Sequence, residues 1–200
     1  MTKLILIRAA QTDWQTQGRL AGDTDLKLNE QGSLQAIADA RAVGRFNPQA
    51  VFCGVEEATH QTATIVADEL GLKAKAVDAF REIDLGHWEG LTEEDFCERF
   101  AKVHRQWRND PLSVEPPEGE SISTVAGRLE AGLEKVRKRR DCERIVLVLG
   151  RFAFAVGRCK FDDGDYEHFW EYIDGEEHLH AFDLEEAAKP QARAANKSAS

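Results

Sequence analysis

The chain has 200 residues, of which 42% are hydrophobic and 31% charged, and a formal charge of −10 at pH 7. This mixture excludes a mainly disordered chain, a collagen-like repeat and a disulfide-stapled miniprotein, and a chain of this length buries enough surface to hold a core without a metal. The acidic balance, with a pI near 5.1, opposes attraction to nucleic acid and anionic membranes, so neither is expected as a partner, although a local cationic pocket is compatible with it.

The elements follow in chain order. Residues 3–8 form a continuous apolar run that reads as a buried parallel strand. The chain enters this strand at once, leaving no room for a signal peptide, so a cytoplasmic location is expected. After a polar, glycine-containing loop, Asn29-Glu30-Gln31 opens a helix to about Arg45. A short strand at 50–53 precedes a helix over about 57–70, ended by Gly71, and 73–77 suits a further strand. Glu93 to about Arg105 reads as one polar helix with Phe96, Phe100 and Val103 on one side. Pro111–Gly119 is a loop. Ser121 or Ser123 caps a charged helix to about Arg139, with Val125, Leu129, Leu133 and Val136 at helical spacing. Residues 144–149 make the second strongly buried strand, and a C-terminal strand carries His178 and His180. Both apolar runs, Leu4–Ile7 and Ile145–Leu149, are far short of a membrane span.

This βαβα alternation predicts a three-layer α/β/α sandwich with a mainly parallel central sheet. A single domain over 1–188 is expected, followed by a disordered tail from Lys189 to Ser200. Cys53, Cys97, Cys142 and Cys159 lie far apart, without a Cys-x-x-Cys or a cysteine/histidine cluster, and read as reduced thiols. No metal and no cofactor are expected.

Five segments in order carry a family resemblance. They are Leu4-Ile5-Leu6-Ile7-Arg8 with Thr12-Asp13-Trp14 and Gly18-Arg19; Leu28-Asn29-Glu30-Gln31-Gly32 with Gln35-Ala36; Gln61-Thr62-Ala63; Arg81-Glu82-Ile83-Asp84-Leu85-Gly86-His87-Trp88-Glu89-Gly90-Leu91-Thr92; and Pro116-Pro117-Glu118-Gly119-Glu120-Ser121. From Leu4 to about Val156 the chain resembles the histidine phosphatase superfamily, the branch that includes cofactor-dependent phosphoglycerate mutases. The resemblance implies that family's fold. It also implies a chemistry in which an Arg-His-Gly histidine at the end of the first strand attacks phosphorus.

That chemistry has lost its groups. Arg8-Ala9-Ala10 stands in place of Arg-His-Gly, and alanine offers no lone pair for the covalent step. Ala58 stands where the resemblance places a phosphate-clamping arginine. Gly150-Arg151-Phe152 replaces Ser-His-Gly, so Arg151 takes the second histidine's position, and Phe152, where a glycine is expected, is predicted to crowd the phosphate. Gln11 and Gln15 replace a glutamate and an asparagine of the phosphate loop. Arg8, Arg19 and Glu82 remain, Glu82 at the position of the family's proton donor, which is useful only if something breaks the P–O bond. Loss concentrated at the chemical centre of a readable scaffold has the pattern of a pseudoenzyme.

The other candidates are weaker. His60 lies about 200° around its helix from Ala58, His87 occupies a variable position of its segment, and His178 with His180 lacks a third ligand at a fixed spacing. The basic run Lys135–Arg140 sits at a helix C-terminus, where cations complement the dipole. Phe169, Trp170 and Tyr172 suit the core, with a homodimer contact as the alternative. Arg151 either joins Arg8 and Arg19 in holding an anion, or turns outward or pairs with Glu82.

The sequence therefore reads as a catalytically inactive binding or regulatory module. Ala9, Ala58, Glu82 and Arg151 mark vestigial catalytic positions, and Arg8, Gln15, Arg19 and Arg151 are the expected anion ligands for phosphate or a phosphorylated small molecule. The alternatives are a phosphatase or phosphomutase that uses Glu82 as acid or base with water as nucleophile, and a purely structural interaction protein.

Overall fold

The computed structural model describes residues 2–139 and 142–184; the tail expected from Lys189 lies outside them. Five strands form one sheet in the order β3-β2-β4-β1-β5. These are β1 Thr2–Arg8, β2 Ala50–Cys53, β3 Ala74–Ala76, β4 Arg144–Leu149 and β5 Leu179–Leu184. The first four are mutually parallel where they pair, and β5 runs antiparallel along β1. The expected mainly parallel α/β sandwich is the observed fold.

Strand side chains alternate between faces, which explains why the two long apolar runs have no polar side. Leu4, Leu6, Phe52, Leu147 and Leu149 enter the core cluster on one face, with Val125, Leu129, Leu133 and Val136 of α6 (Ile122–Arg139). Ile5, Ile7, Val51, Val146 and Val148 enter the other, with Ala40 and Val43 of α2 (Glu30–Gly44) and Ala63, Val66 and Ala67 of α3 (Glu57–Glu69). Ser121 is the cap of α6, its Oγ accepting from the Thr124 amide at 3.2 Å. Among the described residues no helix is long and apolar enough to cross a membrane.

One helix expectation needs correction. The segment from Glu93 is two helices, α4 (Glu93–Arg99) and α5 (Ala101–Asn109), broken at Phe100 with φ −125° and ψ 36°. Eleven residues of straight helix would hold Phe96 and Trp107 about 16 Å apart. The break brings their rings to 6.0 Å, and both close on Trp88, at 4.7 and 5.3 Å. Phe100, predicted on the inner side, is left 37% exposed.

The recognisable motifs turn out to be joints. Gly32 caps onto Asn29 Oδ1 at 2.7 Å, and a Cβ there would sit 2.1 Å from the Gln11 carbonyl oxygen, so only glycine lets the first loop dock on α2. Thr62 Oγ accepts from the Ala10 amide at 3.0 Å, and Gln61 Oε1 from the Leu28 amide at 2.9 Å. Gly86 has φ +50°, and a Cβ there would lie 2.2 Å from the Pro117 carbonyl oxygen. The Leu-Gly-His-Trp and Pro-Pro-Glu-Gly segments thus pack on each other. Gly86→Ala should destabilise the protein by at least about 2 kcal/mol through the left-handed backbone and the overlap together, read as a lowered urea midpoint.

Candidate functional site

The carboxyl ends of β1 and β4 lie side by side, with Arg8 paired to Leu149. Such ends, where strand order reverses, are where open α/β sheets place their ligands. A narrow cavity of about 50 Å³ opens there, bordered by Ala9 and Ala10 after β1, Arg19 and Leu20, Ala58 and Thr59 of α3, Glu56, Glu82 and the start of α7 (Arg151–Arg158). Ala9 and Ala58, where the family resemblance would place a histidine and an arginine, both line it.

Glu82 is the most constrained group of the cavity. Its Oε1 accepts from the Ile83 amide at 2.7 Å and the Ala153 amide at 2.8 Å, and its Oε2 from the Phe152 amide at 2.7 Å. It therefore serves amides of the first turn of α7, which have no partner within the helix. Burial pushes its pKa up to about 7, against the lowering effect of these amides, and the neighbouring Glu56 raises it further. The loop carrying it is held by Arg128 of α6, which donates to the carbonyls of Ala79, Arg81 and Glu82 at 3.2, 2.5 and 2.8 Å and pairs with Glu120 at 2.9 Å.

Glu56 is a site residue that the sequence reading missed. It is 5% exposed, its Oε1 accepts from the Glu82 amide at 2.8 Å, and its Oε2 accepts from Thr59 Oγ at 3.0 Å. The available signal was its position directly before α3 and just past the end of β2, where a charged side chain reaches the strand ends.

Three of the four expected anion ligands, Arg8, Gln15 and Arg151, border one depression, while Arg19 borders the narrow cavity, which Gln15 and Arg151 also reach. Arg19 borders the cavity, but its Nη1 donates to the Gly90 carbonyl at 2.6 Å and its Nε to Gln17 at 2.8 Å. Gln15 caps the short helix α1 (Asp13–Thr16), its Oε1 accepting from the Thr12 amide at 3.1 Å. Arg8 turns away into a neighbouring depression. There its Nη1 donates to the Gly175 carbonyl at 2.9 Å and its Nε to His178 Nδ1 at 3.3 Å. Arg151 borders both spaces. It does not pair with Glu82: its Nε donates to the Ile173 carbonyl at 3.0 Å, and its Nη2 lies 3.8 Å from Asp174.

Phe152 borders the narrow cavity, but its ring is directed into the core. Its ring is 3% exposed and stacks on Trp107 at 5.6 Å with 3° between planes, beside Phe169. The aromatic cluster that left a homodimer contact open is engaged within the chain. Phe169 is fully buried, Trp170 Nε1 donates to the Trp107 carbonyl at 2.9 Å, and Tyr172 lies 3.9 Å below the Arg158 guanidinium. His178 and His180 are separate: the first accepts from Arg8, and the second lies 2.6 Å from Asp162. His60 and His87 are exposed.

A sequence profile of the Histidine phosphatase superfamily (branch 1) matches residues 4–196. The chain belongs to the histidine phosphatase superfamily. Phosphoserine phosphatase 1 of Hydrogenobacter thermophilus is 32% identical over 172 residues, spanning 86% of this chain and 82% of that protein. Glucosyl-3-phosphoglycerate phosphatase of Mycobacterium tuberculosis is 31% identical over 63% of this chain and 56% of its own length. A structure of the mycobacterial glucosyl-3-phosphoglycerate phosphatase with VO3 superposes with a TM-score of 0.78 at 25% identity, covering 84% of this chain and 86% of that one.

Folding raises the Glu82 pKa, so the folded chain keeps a proton that the unfolded chain releases between its ordinary value of 4.5 and about 7. The stability this gives is complete below pH 4.5 and is lost as the pH rises through about 7. The stability advantage of the native chain over Glu82→Gln should therefore shrink by roughly 3 kcal/mol between pH 4.5 and 8, measured by urea unfolding at each pH.

Proposed function

We propose that the chain is a non-catalytic member of the histidine phosphatase superfamily, a binding or regulatory module for a small anionic ligand. The observation that carries this reading is the pair Ala9 and Ala58, both facing the cavity beside Glu82. A phosphohistidine route needs an imidazole and a cationic clamp at these positions, and two methyl groups supply neither. The surviving carboxyl group of Glu82 is bound to three backbone amides, which accounts for its place in the fold without a reaction.

The relatives named above are phosphatases that act on phosphorylated substrates, and that directs the test. Phosphoserine, 3-phosphoglycerate and p-nitrophenyl phosphate should show no turnover above background, and no phosphorylated protein should be trapped. Loss of the nucleophile alone costs several orders of magnitude in rate. A second reading has one observation in its favour: a carboxyl group with a pKa of about 7 suits general acid–base work near neutral pH. Turnover that disappears in Glu82→Gln would replace the first reading with this one. The triple variant Ala9→His, Ala58→Arg, Arg151→His should gain measurable p-nitrophenyl phosphate hydrolysis, since the ring of Phe152 packs on Trp107 rather than filling the cavity it borders; a folded variant with no gain would point to Phe152 as the block.

A further inference from the structure

The depression into which Arg8 turns has a volume of about 550 Å³ and is bordered by Arg8, Gln11, Gln15, Gln35, Arg151 and His178, with Asp174 and Glu176 also on its walls. That volume lies in the ordinary range of small-molecule sites, roughly 300–1,000 Å³. The inner cavity, at about 50 Å³, is far below it.

The hydrogen bonds of the Arg8 guanidinium here go only to neutral groups, while the half-buried Asp39 carboxylate acts on it through its charge. The neutral groups are the carbonyls of Gly175 and Tyr172, at 2.9 and 3.5 Å, and the His178 ring. Burial and then the Arg8 charge push the His178 pKa down to about 4, so the ring is uncharged at neutral pH. Burial, and after it the charge of Arg151, lowers the Arg8 pKa, while Asp39 raises it. The Asp174 carboxylate at 3.8 Å from Arg151 is held more tightly by Arg108, at 2.7 Å. Arg8 uses Nε and both protons of Nη1 within the chain, and its Nη2 lies 3.5 Å from His178 Nε2, so Arg151 carries most of the free donors of this cationic pair toward an oxyanion. The Nε2 of Gln35 is buried with no partner.

We propose that this depression is the ligand site, and that it takes a small organic monocarboxylate bearing hydroxyl or amide groups, its carboxylate bridging Arg8 and Arg151. This rests on the non-catalytic reading above and names the ligand class and the place. A planar carboxylate matches the arginine fork. The carboxylates of Asp174 and Glu176 disfavour a dianion such as a phosphate monoester. The side-chain oxygens of Gln11, Gln15 and Gln35 already accept from Asn29 Nδ2, the Thr12 amide and the Gln11 amide, so their NH2 groups are left as donors to the uncharged remainder of the ligand. Arg151 stands where the superfamily's reaction uses a histidine, so the site belongs to this chain's own substitution.

Isothermal titration of the whole chain with glycerate, inorganic phosphate and glycerol 3-phosphate tests the proposal. Saturable binding of a carboxylate is expected, about tenfold tighter than either phosphate and weakened about tenfold or more by Arg8→Lys and by Arg151→Gln. Because Arg8 also holds the Gly175 and Tyr172 carbonyls, Arg151→Gln carries the test if the Arg8 variant does not fold. Absence of saturable carboxylate binding, or binding indifferent to both substitutions, overturns the proposal. Phosphate binding that Arg19→Gln weakens also overturns it, moving the ligand to the inner cavity and leaving the binding-module reading intact. Phosphoester turnover would instead overturn that reading.

Discussion

The structure depends on a single buried carboxyl group at the start of a helix. Glu82 binds two amides of the first turn of α7 and one of its own loop, and so joins three parts of the chain: the segment after β3, the end of β4 and, through Glu56, the end of β2. A carboxyl group out of water is costly unless it is hydrogen-bonded or protonated, and here both conditions operate. Its raised pKa is the sign of that balance. Arg128 fixes the same loop from the opposite side through three carbonyls. Placing these groups around one cavity is a structural requirement before it is a chemical one, which explains how Glu82 persists beside the methyl groups of Ala9 and Ala58.

The motifs that make the family legible obey the same logic. Asn29 and Gly32 dock the first loop, Gln61 and Thr62 hold Leu28 and Ala10, and Gly86 packs on Pro117. Each makes backbone contacts on which the sheet ends rely, so none is free to change when the reaction is absent. Ala9 and Ala58 border the cavity with methyl groups. On the proposed non-catalytic reading, change at such positions leaves the scaffold intact, which would account for clear motifs around an altered centre.

The sheet, its helices and the α6 stripe were legible because burial on both strand faces and helical spacing are written into local sequence. The direction of Arg8 was not. A guanidinium on a long stem follows the carbonyls and charges around it, and those come from Tyr172 and Gly175, far along the chain. Arg151 was legible as a substitution, but its partner at Ile173 was not. The break at Phe100 escaped because periodicity within one segment carries no information about Trp88, the ring that draws Phe96 and Trp107 together.

Phe152 ties the cavity to the interior. Its amide serves Glu82 while its ring fills the aromatic core against Trp107, so one residue is shared between the cavity border and the interior packing. A small residue at position 152 would open a hole under the helix. Whatever enters the cavity, the demand for a filled core therefore guards part of its shape.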